Sequence, residues 1–209
     1  MEREENFDDI RPYKDEEVAG VLHRLGQNRW LMSGLRNVFF PRIPRFLAPL
    51  VDRVLRWYLH MKLKNIHNVY QFQKKVSVDT LLHILVQKTI SGLSYRGLEH
   101  LDRNTAYIFI TNHRDIVLDP ALLNYILFMN RFPIAQIAIG DNLLVNEVVE
   151  DVIRLNRAFI VKRNLPLRRQ FEESLRLSRY IRHVVDSGES VWIAQKSGRS
   201  KDGKDETSP

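Results

Sequence analysis

The sequence contains no cysteine. Disulfides, thiolate metal sites and cysteine nucleophiles are therefore excluded, while the redox compartment stays open. No stretch approaches the roughly 18 consecutive apolar residues of a membrane-spanning helix. The amino terminus, Met1-Glu2-Arg3-Glu4-Glu5, lacks an apolar signal region, so export is not expected. Acid is scarce in one stretch above all: between Arg36 and Lys75 nine Lys/Arg stand against a single acid, Asp52. A basic face of that kind takes the phosphates of lipid or nucleic acid as partners. The seven histidines do not fall at ligand spacing, so no metal is expected, and His60, His67 and His83 read as helix-surface or core residues. Ser190, Ser197 and Ser200 lack the context of a nucleophile elbow.

What is present is a chain of 209 residues, 44% hydrophobic: one domain of ordinary size, or a domain with an appended helical part. Residues 1–17 are charged, contain Pro12 and show no periodicity, so a flexible tail is expected. Helical spacing runs from Glu17 to Phe40, after which Pro41, Pro44 and Pro49 punctuate an aromatic stretch interleaved with arginine. Residues 50–64 read as an amphipathic helix with Val51, Val54, Leu55, Tyr58 and Met61 on one side and Arg53, Arg56, Lys62 and Lys64 outside it. Such a helix suits a membrane interface, the alternative being that its stripe packs on the rest of the domain. A third helix is expected over 66–91, ending at Gly92. Residues 18–92 thus form a basic amphipathic helical region suited to membrane attachment.

From there the pattern changes. Strands are expected at 93–97, 106–111, 133–139, 158–162 and 190–195, and helices at 120–130, 142–155 and 166–186. This alternation implies an α/β fold, a largely parallel sheet flanked by helices over residues 93–209. Glu147, Glu150 and Asp151 are read as the solvated face of their helix.

Residues 107–120, Tyr-Ile-Phe-Ile-Thr-Asn-His-Arg-Asp-Ile-Val-Leu-Asp-Pro, are the stretch around which the chain is organised. An apolar strand runs into Asn112, His113, Arg114 and Asp115, and Asp119-Pro120 has the form of a helix cap followed by proline in the first turn. Parallel sheets display reactive groups at the carboxyl ends of their strands. A histidine oriented by a carboxylate acts as a base on an attacking alcohol. The alternative is that Asp119 only caps its helix. Two further loops carry charge at strand ends: Lys162-Arg163, and Lys196-Ser197-Gly198-Arg199. Cations converging opposite a base suit an alcohol that bears a phosphate.

These residues carry a resemblance. The chain resembles the glycerolipid acyltransferase family, membrane-associated enzymes that include lysophosphatidic acid and glycerol-3-phosphate acyltransferases. In that family N-H-x4-D is followed by G-x-x-F-I-x-R and then E-G-x-R. Asn112-His113 with Asp119 match the first block, Phe159-Ile160 and Arg163 lie in the second with two residues between Ile160 and Arg163, and Gly198 lies in the third, so that the resemblance covers roughly residues 95–201. It implies that His113 is the general base and that Asp119 fixes its tautomer. It implies that Arg163 binds the acceptor phosphate, assisted by Arg199 or Lys196 beside Gly198. The donor would be an acyl-CoA or acyl-carrier protein thioester, and no cofactor is needed.

The chain departs from the pattern in four further places. Five residues, not four, separate His113 from Asp119, with Asp115 as a rival partner. Arg157 stands where the family often has glycine. Ser197 replaces the glutamate of the third block. Arg199 follows Gly198 directly.

The reading that follows is acyl transfer to a hydroxyl of a glycerol phosphate or lysophospholipid, in phospholipid biosynthesis, by a peripheral protein on the cytoplasmic side of a membrane containing anionic phospholipid. The alternative, favoured by Ser197, is a catalytically impaired lipid-binding relative. Nucleic-acid binding is not expected, since no recognised motif accompanies the basic stretch. A parallel sheet that ended on its glycine-containing site loop would leave an edge strand and apolar helix faces uncovered, so truncation at the carboxyl terminus is also expected.

Overall fold

The computed structural model describes residues 5–82 and 91–195. Its centre is a sheet of four strands, β1 (Ile108–Thr111), β2 (Gln136–Gly140), β3 (Ala158–Val161) and β4 (Val191–Ala194), in the order β1-β4-β2-β3. All pairings are parallel. The expected strand at 93–97 does not form. Gly97 adopts a left-handed φ of 95° and turns the chain into a short 3-10 segment, Leu98–His100. The strand that carries the third charged loop is also not an edge. β4 lies between β1 and β2.

Helices cover both faces. α5 (Leu118–Met129) follows β1, α6 (Glu147–Leu155) follows β2, and α7 (Leu167–Asp186) links β3 to β4. Successive residues of β4 point to opposite layers. Val191 joins Phe159, Tyr180 and Val184 beneath α7, while Trp192 joins Leu127 and Ala135 beneath α5. Burial on both sides explains why β3 and β4 read as unbroken apolar runs, whereas Ile108 and Ile110 of β1 are exposed. The helix expected from residue 142 begins later, because Asp141–Leu143 forms a 3-10 turn and the side chain of Asn146 accepts from the Val149 N–H to cap α6.

Ahead of the sheet, the helix expected over residues 17–40 is two. Asn28 leaves the helical region and its side-chain oxygen accepts from the N–H groups of Trp30 and Leu31. α1 (Asp15–Gln27) thus ends and α2 (Arg29–Phe39) begins. α1 is buried against α4 (Val69–Phe72) and α6 through Val18, Val21, Leu22 and Leu25. α4 continues as wide turns over Gln73–Leu82, and residues 83–90 of the expected third helix lie outside the described residues. α3 (Ala48–Leu63) has no buried residue and α2 only Met32. The two are pinned by the Arg36 guanidinium on both oxygens of Asp52 at 2.6 Å. Phe39, Phe46, Leu50, Val54 and Trp57 remain exposed on this hairpin.

Residues 5–14, expected as part of a flexible tail, are docked as a strap along β3. Ile10 is buried, and its carbonyl accepts the Ile160 N–H at 2.8 Å. Asp9 pairs with Arg176 and Lys162, Glu5 with Arg179, and Arg11 with Glu17. The strap is held by partners some 150 positions away, which no local pattern records. The Arg176 and Lys162 charges hold the Asp9 carboxyl far below its ordinary 3.8. A depressed carboxylate stabilises the fold above its ordinary pKa, and that contribution is withdrawn as pH falls below it. Asp9→Asn is therefore expected to lower hydrogen-exchange protection of the Ile160 N–H at neutral pH by about fivefold. This corresponds to about 1 kcal/mol for a half-exposed charged pair. Acidification below pH 4 should have a smaller effect on the variant than on the parent. Equal protection in the two proteins would show that Asp9 does not hold the strap.

Candidate active site

The site is assembled at the carboxyl edge of the sheet. β1 ends at Thr111, and the loop that follows folds back on the first turn of α5. Asp115, not Asp119, caps that helix: its Oδ1 accepts the N–H groups of Val117 and Leu118, both at 2.8 Å. Asp119, expected at the cap, lies one turn further in. Its Oδ2 accepts from His113 Nδ1 at 2.9 Å and from the backbone N–H groups of Arg114 and Asp115 at 2.7 and 3.0 Å. The additional residue between His113 and Asp119 is absorbed by this fold-back. A carboxylate only accepts, so the Nδ1 proton belongs to the contact with Asp119 and the neutral ring presents the Nε2 lone pair.

The pair is sheltered without being sealed, at 17% and 22% side-chain exposure. Beneath the imidazole lies Trp192 of β4, edge-on at 5.9 Å between ring centroids. Its indole N–H donates to Thr111 Oγ1 at 3.0 Å. Thr111 and Trp192 are residues that the sequence reading did not single out. Their only signal was position, Thr111 closing one apolar run and Trp192 lying within another.

Of the two cations carried out of β3, only one stays at this edge. Lys162 turns to the strap, with Nζ on Asp9 and near Glu173. Arg163 lies instead over the end of the neighbouring strand β2, against Gly140. Its backbone N–H donates to Asp141 Oδ1 at 3.2 Å. Gly140 and Asp141 were also missed, although a Gly-Asp pair directly after the run Ile137-Ala138-Ile139 marks a strand end. Lys196, Gly198 and Arg199 lie outside the described residues.

Arg157 does not belong to the site. It begins β3 at the opposite, amino edge and adopts a left-handed φ of 61°. That φ is a physical reason for glycine at this point of the family pattern, because a side chain there costs roughly 1 kcal/mol. The guanidinium pairs with Glu189, which also accepts from Gln136 Nε2 at 2.6 Å. These residues line a cleft of about 780 Å³ between the strap and α7, away from His113.

The family model described as Acyltransferase matches residues 92–206, more than half of the chain. The chain belongs to the acyltransferase family. Comparison with curated proteins yields no match. The acyltransferase match begins after α4 and takes in every strand and the whole site, so acyl transfer is the reaction class that the family supports. No helix among the described residues of this acyltransferase is long and apolar enough to cross a membrane.

Proposed function

We propose that this acyltransferase moves a fatty acyl group from an acyl-CoA or acyl-carrier protein thioester to a hydroxyl of a glycerol phosphate or lysophospholipid. The observation that carries the reading is the 2.9 Å contact of His113 Nδ1 with Asp119, which leaves Nε2 as a base at the carboxyl edge. Nε2 takes the hydroxyl proton as the alcohol oxygen bonds to the thioester carbonyl carbon. The tetrahedral adduct then collapses, the carbon–sulfur bond breaks, and the imidazolium returns its proton to the leaving thiolate. Asp119 stabilises the imidazolium between these steps. Arg163, with Lys196 and Arg199 beside Gly198, holds the acceptor phosphate.

The α2–α3 hairpin supports a membrane-surface reading. It exposes Phe39, Phe46 and Trp57 among arginines, apolar area that gains most from a lipid interface and lies close to anionic headgroups. The competing reading of an impaired relative rests on Ser197 in place of the family glutamate, whereas the paired imidazole and carboxylate support a working base.

The test uses the full chain with a long-chain acyl thioester and either glycerol 3-phosphate or lysophosphatidic acid on anionic vesicles. Thiol release and ester formation in equal amounts are expected. Thiol release without ester, or neither product with both acceptors, refutes the reading. Replacing Phe39, Phe46 and Trp57 together by serine is expected to cut vesicle flotation by at least about tenfold. Undiminished flotation would remove the hairpin from the membrane contact.

A further inference from the structure

We propose that Gly140 is a positioning residue: its missing side chain lets Arg163 lie across the end of β2, and this sets how tightly the acyltransferase holds the phosphate of its acceptor. The identity of the acceptor rests on the acyl-transfer reading; the geometry does not.

Gly140 has φ −68° and ψ 140°, an ordinary extended conformation open to any residue. Backbone freedom is therefore not what glycine supplies here. The demand is for space. A Cβ built on Gly140 would stand 2.7 Å from Arg163 Nε and 3.1 Å from Arg163 Cδ, as well as 2.5 Å from Asn142 Oδ1. The 2.7 Å contact is closer than a carbon accepts and the 3.1 Å contact is tight, so a methyl group here obliges the arginine side chain to shift from the strand end.

That displacement matters because of the strand order. β1, which leads to His113, and β3, which leads to Arg163, are the two outer strands, separated by three inter-strand steps or roughly 14 Å. An arginine left above its own strand would stand at the far margin of the site. With its stem across β2, it is brought one strand nearer to the imidazole. The preceding residue makes the opposite choice, since Lys162 turns outward to Asp9. Neighbouring parts of the chain fix the inward course: Asp141 Oδ1 accepts the Arg163 N–H, and Asn164 turns the chain at once with a left-handed φ of 56°. Gly140 therefore leaves room at the strand end for Arg163, while Lys162 is held outward by its own pair with Asp9.

The experiment is calorimetric titration of the full chain with glycerol 3-phosphate, alongside acyl-transfer kinetics. Gly140→Ala is expected to weaken glycerol 3-phosphate binding and raise its KM by about tenfold. kcat at saturating acceptor and the KM for the thioester should stay within about twofold. In an Arg163→Ala background, Gly140→Ala should cost nothing more. If the single variant fails to fold by circular dichroism, Gly140→Ala with Asn142→Ala relieves the contact that does not involve Arg163 and should show the same tenfold loss. Binding equal to the parent, an equal loss in both arginine backgrounds, or no binding of glycerol 3-phosphate by the parent overturns the inference. Weakened binding in a protein that transfers no acyl group upholds the positioning role and refutes acyl transfer alone.

Discussion

His113→Ala lowers kcat for acyl transfer by about a thousandfold, the middle of the range for removal of a positioned general base, and leaves the fold intact. The fold is spared because the ring is partly exposed and its hydrogen bond is to Asp119, whose Oδ2 keeps two backbone donors when the imidazole is gone. Asp119→Asn is expected to lower kcat by about a hundredfold. An amide oxygen still accepts from Nδ1 and from the backbone, but it no longer offers a full charge to the imidazolium. The decisive comparison is with Asp115→Asn, which retains the oxygen that caps α5 and should keep activity within about threefold. The measurement is initial rate at saturating thioester and acceptor. Equal losses from Asp115→Asn and Asp119→Asn would mean that the two carboxylates share the orienting role.

The largest expected effect on stability lies elsewhere. Asp151 is 3% exposed, and its carboxylate accepts from Tyr13 Oη at 2.7 Å and from Arg24 Nη2 and Nε at 2.6 and 3.0 Å. One acid thus ties α6 to α1 and to the residues just before it. Burial, and then the neighbouring carboxylate, pushes the Tyr13 hydroxyl up to about 12, so it stays a donor throughout the physiological range. Asp151→Ala strands both donors and is expected to cost about 3 kcal/mol, the low end for a broken buried pair because Arg24 is half exposed. For a chain of this length that corresponds to a Tm lowered by about 9 °C. Glu150→Ala, one position away on the exposed side of its pair with Arg154, should cost no more than about 1 kcal/mol. Thermal unfolding of the two variants decides the matter: similar shifts would show that burial of Asp151 contributes nothing.

Asp151 also shows why part of the molecule was illegible in the sequence. Glu147, Glu150 and Asp151 look alike as a run of acids on one helix, yet Asp151 and Arg154 are buried beneath α1 and the strap. Whether an acid is solvated depends on what packs over it, and the covering residues come from more than a hundred positions away. The strap was misread for the same reason. Signals carried within a few residues were legible: the apolar runs of β1 to β4, the long α7 and the basic, aromatic hairpin all lie close to where periodicity put them. In the candidate site, the motif blocks pointed to His113, Asp119 and Arg163, of which the first two are in contact. The blocks could not tell which aspartate caps and which orients, because each takes a different pair of backbone N–H groups in the same loop and only the path of the loop assigns them. Gly140 was silent too, since a glycine that makes room for a side chain from another strand leaves no local mark.

The strand order has a consequence for synthesis. β4, the last of the four to leave the ribosome, is the wedge between β1 and β2. A nascent chain stalled before Val191 has no hydrogen-bonded neighbour to join the strand bearing His113 to the pair bearing Arg163. His113 and Arg163 then stand on parts of the sheet that no strand pairing joins, and their alignment waits for translation to deliver the central strand.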